Sequence, residues 1–277
     1  MSIVTLQEIQ FPTVGQCTLE EMYYRTGKTT NNGVIFDSNG KFLIFNKFQI
    51  VQFDTYFNGL SVSKWLKYTF ADNFNLSIFI SGKFKISLIV KELFGKNEFE
   101  TVVSEEIIES KEKRLFNFSF NTDKIRGMYA FRLQALEEDS VFYGGEYNTQ
   151  VEESLIRNVK IGIGICTFKR EKYVTKNLNI LNRDFLENEN SPLNTHLEVF
   201  VSDNGHTLDY DSLNSEHIHV FPNKNVGGAG GFTRTLIEMK LNNKDFGITH
   251  ALLMDDDIVI ESASILKTYR LLTLLKD

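Results

Sequence analysis

Hydrophobic periodicity changes once along this chain, at Lys160, and that change constrains the fold more than any other feature. Before it, apolar residues recur at every second position. Phe84, Ile86, Leu88 and Val90 are spaced by two, with Lys83, Lys85 and Ser87 between them. Phe116, Phe118 and Phe120 alternate with Asn117 and Ser119, and the runs Leu76–Ile80 and Tyr129–Leu133 read the same way. A period of two sends alternate side chains to opposite faces of a strand. Turn-forming groups separate the runs: Asn31-Asn32-Gly33, Ser38-Asn39-Gly40, Ser81-Gly82 and Gly144-Gly145. Many short alternating strands without a long helical stripe predict a β-sandwich or jelly roll over residues 1–150.

After Lys160 the grammar differs. Ile161–Cys166, Leu197–Val201, His217–Val220 and Thr249–Met254 are compact apolar runs. Helical patterns lie between and after them, at Glu171–Leu186, Gly230–Lys240 and Ser262–Leu275. Strands alternating with helices predict a mostly parallel, Rossmann-like sheet over 160–277, reached through a linker at 151–159. The expected fold class is therefore α+β with two domains, a β-sandwich followed by an α/β domain.

Composition excludes some functions. The net charge of −6 over 277 residues argues against a nucleic-acid partner. Two cysteines, Cys17 and Cys166, supply neither a disulfide framework nor a zinc site. No run of 18 apolar residues exists, and the start lacks the basic and apolar regions of a signal peptide. A cytoplasmic location is expected, with peripheral attachment at the inner face of the cell membrane left open.

In open α/β sheets, ligands bind beyond the carboxyl ends of the strands. The residues at those four ends are Thr167-Phe168-Lys169-Arg170, Asp203-Asn204-Gly205, the run Asn223–Gly231, and Asp255-Asp256-Asp257. All four are polar. The triple Asp offers oxygen ligands to a hard divalent cation, Mn2+ or Mg2+. Asp255 and Asp257 share a side if the chain stays extended there; the alternative is a solvated acidic turn. The Gly-rich run can bring backbone N–H groups and a helix N-terminus to a phosphate, or serve as a flexible turn. Lys169 and Arg170 suit a phosphate or sugar, or a solvated loop. Asp203 suits a base N–H, or an Asx-turn or helix cap. His217 and His219 alternate on a strand, a metal pair or an edge feature. Trp65, Tyr56, Phe57 and Tyr68 suit a sugar-binding face or a core.

Taken together, Ile163–Arg170, Val201–Gly205, Asn225-Val226-Gly227-Gly228-Ala229-Gly230-Gly231-Phe232 and Met254–Asp257 resemble glycosyltransferase family 2 with the GT-A fold. The Gly-rich run and triple Asp are similar to those of bacterial galactofuranosyltransferases that polymerise cell-wall galactan. Those enzymes also carry an N-terminal β-sandwich. The resemblance implies metal-dependent, inverting hexosyl transfer from UDP-galactofuranose to a growing cell-surface glycan. It implies that Thr167, Phe168 and Arg170 contact the nucleotide-sugar and that Asp203 meets the uracil. Asn225, Gly227 and Gly228 would lie against the diphosphate-sugar, Asp255 and Asp257 would hold the metal, and Asp256 would face the donor sugar. The implied partners are a UDP-sugar donor and a glycan or lipid-linked glycan acceptor. A second chain supplying the remaining half, and a homo-oligomer, stay open.

In that family the general base lies well downstream of the Asp triplet, and only one helix follows the triplet here. The catalytic base is therefore unassigned, and the 277-residue chain alone is expected to lack transferase activity. The competing expectation is a carbohydrate-binding or assembly module, in which the β-sandwich does the work and the nucleotide half is vestigial.

Overall fold

One strand organises the first 150 residues. In the computed structural model, which describes residues 1–27, 34–94, 97–120 and 127–276, it runs over Asn75–Phe94. Among the described residues, nine strands precede the linker: β1 (Ser2–Glu8), β2 (Arg25–Thr26), β3 (Ile35–Asp37), β4 (Phe42–Phe45), β5 (Ile50–Gln52), β6 (Asn75–Phe94), β7 (Asn97–Ser119), β8 (Met128–Ala135) and β9 (Ser140–Val151). A short helix, α1 (Val62–Tyr68), lies between β5 and β6. The turn expected at Asn31-Asn32-Gly33 lies outside the described residues.

β7 pairs antiparallel along the whole of β6. The opposite edge of β6 is shared, with β9 taking its first half, from Asn75 to Ser81, and β8 its second, from Phe84 to Lys91. The handover falls at Gly82, at a bulge in the β6–β7 register. Gly82 has φ +88, and a Cβ there would stand 2.8 Å from the Cα of Ser140. Only glycine accepts both the left-handed backbone and that approach. The sheet therefore continues through β6 and curls over itself, with β9, β4, β3 and β1 on one limb and β8, β5 and β2 on the other.

The inward side chains of both limbs meet in an aromatic core. Phe53 stacks on Phe131 at 4.4 Å and lies 5.0 Å from Phe142; Tyr129 stacks on Phe120 at 4.4 Å. Phe53, Phe84, Phe131 and Phe142 are fully buried, each worth about 1.5–3 kcal/mol of transfer free energy. The expected alternation holds in part: Phe84, Ile86, Phe118 and Phe120 are buried while Lys83, Lys85, Asn117 and Ser119 are not, but from Ser87 to Val90 every residue is buried, past a register shift at Leu88/Ile89.

Arg157–Thr273 form a second compact unit, while Met1–Ile156 and the segment from Leu274 form the first. In the second unit, β10 (Ile161–Thr167), β11 (Leu197–Asp203), β12 (Ile218–Pro222) and β13 (His250–Asp255) make a parallel sheet in the order β12-β11-β10-β13. Its helices are α2 (Glu171–Leu181), α3 (Tyr210–Leu213), α4 (Gly227–Leu241), α5 (Asn243–Phe246) and α6 (Ser262–Thr273). Ile161, Ile163 and Ile165 pack in one core with Val174, Leu178 and Leu181 of α2 and Ile265 of α6. The intervening Gly164 lets α4 lie close to the strand, since a Cβ there would stand 2.4 Å from Thr235 Oγ1.

The expected fold class is corrected by these observations. Strand accounts for 42% of the chain against 25% helix, so the molecule is mostly β rather than α+β. The antiparallel part is one curled sheet, because both limbs hydrogen-bond to the same β6, rather than two separate sheets. The Rossmann-like GT-A domain does not set the class: parallel pairing is confined to four short strands.

Candidate functional site

The parallel register aligns the carboxyl ends of the second unit. Thr167 pairs with Asp203, and Asp203 with Pro222, while Cys166 pairs with Asp255. Two of the expected groups meet there. The buried Thr167 hydroxyl donates to Asp256 Oδ2 at 2.7 Å. The Arg170 guanidinium bonds the Asp257 carboxylate and lies 3.6 Å from Asp256 Oδ1. Asn177 of α2, buried, donates from Nδ2 to the Asp256 carbonyl at 2.9 Å and to the Ile258 carbonyl at 3.2 Å, pinning the turn.

That turn changes the geometry expected of the triplet. β13 ends at Asp255 and the chain turns through Asp256 and Asp257, so the extended conformation that would align Asp255 with Asp257 does not persist. Asp255 and Asp257 are exposed, and Asp256 is buried. Among the described residues, no three His, Cys, Asp or Glu side chains are arranged to hold a metal. Burial, together with the Asp256 and Asp255 charges, pushes the Cys166 thiol up, which opposes thiolate formation there.

Asp203 is committed to its own loop. Fully buried, it accepts from the backbone N–H groups of Gly205 (2.9 Å), Thr207 (2.8 Å) and Leu208 (2.9 Å) and from the Tyr210 hydroxyl (3.0 Å). Burial alone would raise its pKa, but these donors hold it below the usual carboxylate value. Asn225 Oδ1 accepts from the Gly227 N–H at 3.2 Å. Gly227 has φ +78, and a Cβ on Gly227 or Gly228 would meet nothing within 4 Å. Asn225 thus takes the first N–H of α4, while Val226 at the N-cap offers no side-chain acceptor to those that follow. Asn204 secures the loop from beneath, donating to the Gly227 carbonyl at 3.2 Å and accepting from Asn223 at 2.7 Å. Phe168 is half exposed, with the Lys169 ammonium 5.3 Å from its ring centroid.

His219 lies on the edge strand β12 and His217 just before it; both turn to Glu198, at 2.9 and 3.0 Å, with Lys160 Nζ at 2.9 Å from the same carboxylate. Burial would raise the pKa of Glu198, but bonds from His219, Lys160 and His217 bring it down to about 2.

The first unit presents a different surface. The outer face of its sheet should be polar, because the inner face holds the core. A row crossing four strands breaks that rule. Phe42 of β4 packs on Tyr143 of β9 at 5.7 Å. Phe79 of β6 is 38% exposed and pairs with Leu115 of β7, 42% exposed. The inward neighbours Leu43, Phe142, Ile78 and Ile80 are fully buried, so these four side chains point away from the core. Strands about 4.8 Å apart give such a row a span of roughly 15 Å. Polar groups flank it: Ser81 Oγ lies 3.0 Å from the Tyr143 hydroxyl. Asn117, Ser77 and Asn148 form a hydrogen-bonded strip at 2.7 and 2.8 Å. Of the residues that suit a sugar-binding face or a core, Trp65 is buried in the core and Phe57 stacks on Tyr23 at 4.6 Å, while Tyr56 and Tyr68 are exposed. The row's sequence signal was an aromatic in a polar register, Phe79 between the inward Ile78 and Ile80.

No family model matches the chain. No curated protein matches it either. Solved structures do. One is the CBM22-1–GH10 modules of Clostridium thermocellum xylanase 10B complexed with xylohexaose, at 9% identity and TM-score 0.34, covering 71% of this chain and 38% of that one. Another is the C-terminal family 22 carbohydrate-binding module of the same enzyme, at 9% identity and TM-score 0.32, covering 52% and 93%. A third is a family 29 carbohydrate-binding module complexed with cellulohexaose, at 12% identity and TM-score 0.29, covering 53% and 89%. The expected membership of glycosyltransferase family 2 is corrected: no family model supports it, and the chain is mostly β. The descriptions that depended on it, GT-A and galactofuranosyltransferase among them, fall with it.

Proposed function

We propose that the antiparallel unit binds carbohydrate across the Phe42–Tyr143–Phe79–Leu115 row. The observation that carries this reading is the row itself, four apolar side chains aligned on a face where alternation calls for polar ones. Exposed apolar patches on a sheet mark contact surfaces. Aromatic faces carry partial negative charge and meet the C–H-lined faces of sugar rings, while Asn117, Ser77 and the Ser81–Tyr143 hydroxyl pair offer hydrogen bonds to sugar hydroxyls. Glycan-array screening followed by calorimetry tests this. Tyr143→Ala and Phe79→Ala should each weaken glycan binding about tenfold, or ~1.4 kcal/mol, without unfolding the chain. Retention of full affinity in both variants would sink the reading.

A second reading concerns the parallel unit, and the cluster of Thr167, Arg170, Asp256 and Asp257 favours it. Its carboxyl edge binds the diphosphate of a UDP-sugar, with Mn2+ or Mg2+ on Asp255 and Asp257 and the N-terminus of α4, past the Gly227 N–H that Asn225 holds, on the phosphate. Arg170 then serves as the counter-ion of Asp257 until the ligand arrives. Sugar transfer is no part of this reading. UDP binding should require Mn2+ and disappear in the Asp255→Ala/Asp257→Ala variant, while glycan binding by the first unit survives. UDP binding that ignores both metal and variant would overturn it.

A further inference from the structure

Resting on the carbohydrate-binding reading, we infer that the glycan crossing the aromatic row is acidic and that Lys113 selects it. Between Ile80↔Arg114 and Gly82↔Ser110 the register of β7 against β6 slips, and residues 111–113 bulge out beside Ser81. Lys113 leaves this bulge and lies over the row, its ammonium 5.3 Å from the Phe79 centroid and 5.1 Å from that of Tyr143. Other lysines on this outer face are neutralised: Lys83 by Glu109 and Lys85 by Glu105, each at 2.8 Å. Among the described residues, Lys113 has no carboxylate partner. Its charge is committed only to two rings.

Exposed cation–π contacts are worth about 0.5–1 kcal/mol, so the ammonium is lightly held and can lift. A neutral sugar that stacks on Phe79 and Tyr143 must displace it and gains no charge contact in exchange. A sugar carrying a carboxylate stacks on the same rings and pairs with the displaced ammonium. Lys113 therefore covers the platform against neutral glycans and rewards acidic ones. Its removal should shift the two classes in opposite directions, which a merely structural lysine would not do.

The test uses the full chain and its Lys113→Gln variant against two sets of oligosaccharides. The acidic set holds galacturonate, alginate and hyaluronate fragments; the neutral set holds galactan, xylan and β-glucan fragments. The expected result is an acidic preference of about fivefold at low salt, as befits one exposed ion pair, largely erased at 0.5 M salt. Lys113→Gln should weaken the acidic ligands about threefold and strengthen the neutral ones about twofold. A preference for neutral glycans, or an acidic preference unchanged in Lys113→Gln, overturns the inference and leaves the carbohydrate-binding reading standing. Binding of no glycan overturns both.

Discussion

Replacing Asp203 with Ala should lower the stability of the parallel unit by about 3–4 kcal/mol, because three backbone N–H groups and a phenol lose one buried ionised acceptor together. Water can reach the exposed Thr207 after the change, but Leu208 is buried and its N–H has nowhere to turn. Asp203→Asn should recover little, since its NH2 would face N–H donors where an oxygen stood. Urea unfolding monitored in the second unit should show the midpoint falling by roughly 2 M. Amide exchange at Gly205, Thr207 and Leu208 should accelerate even where the unit remains folded. A variant with the original midpoint and unchanged exchange at these amides would show that the carboxylate is spare and free for a ligand.

The second large effect belongs to Asp54 in the antiparallel unit. Its side chain is fully buried, bonded by Arg25 and Lys91, and accepts from Gln52 Nε2 at 2.8 Å. Lys91 is only 9% exposed and also meets Glu98, whose side chain is 57% exposed. Asp54→Ala should cost about 3–5 kcal/mol, because it removes the buried partner of Arg25 and leaves the largely buried Lys91 ammonium only Glu98 and the more distant Glu100. Glu98→Ala removes a partner of the same lysine from the solvent side and should cost under about 1 kcal/mol. Equal losses in the two variants would contradict the argument that burial, not pairing, sets the magnitude. The pH dependence has a defined sign. Burial pushes the Asp54 carboxyl up, but Arg25 and Lys91 outweigh it and hold the folded value below 3.8. Its contribution is therefore complete above the unfolded carboxylate range and is lost as pH falls through the lowered folded value.

The sequence made individual strands legible where one face is buried and the other wet. Phe84, Ile86 and Leu88 against Lys83 and Lys85 declare their faces, and the structure keeps them. It could not show that β8 and β9 share one edge of β6, because strand order depends on contacts between residues far apart in the chain. Nor does alternation reveal a break in itself: Phe79 reads as one more apolar residue until its neighbours are known to face inward. At the parallel edge, residue types marked the loops correctly but not their employment. Asp203 reads equally as a ligand group or as a cap, and only the donors around it show that its oxygens are already engaged. The extended geometry assumed for Asp255 and Asp257 fails because Thr167 and Asn177 draw Asp256 inward and turn the chain.

The pairing of β1 with β9 sets a clock on biosynthesis. Ser2 lies opposite Val151 and Glu8 opposite Glu146, so β1 leaves the ribosome well before the strand that pairs with it. At 5–20 residues per second, β1 waits roughly 7–30 s before β9 has been made. During that interval Leu6, fully buried in the finished unit, has no core to enter. A nascent chain of this design therefore depends on whatever shields an early, unpaired strand, and stalling translation between β8 and β9 should expose it to aggregation more than stalling later.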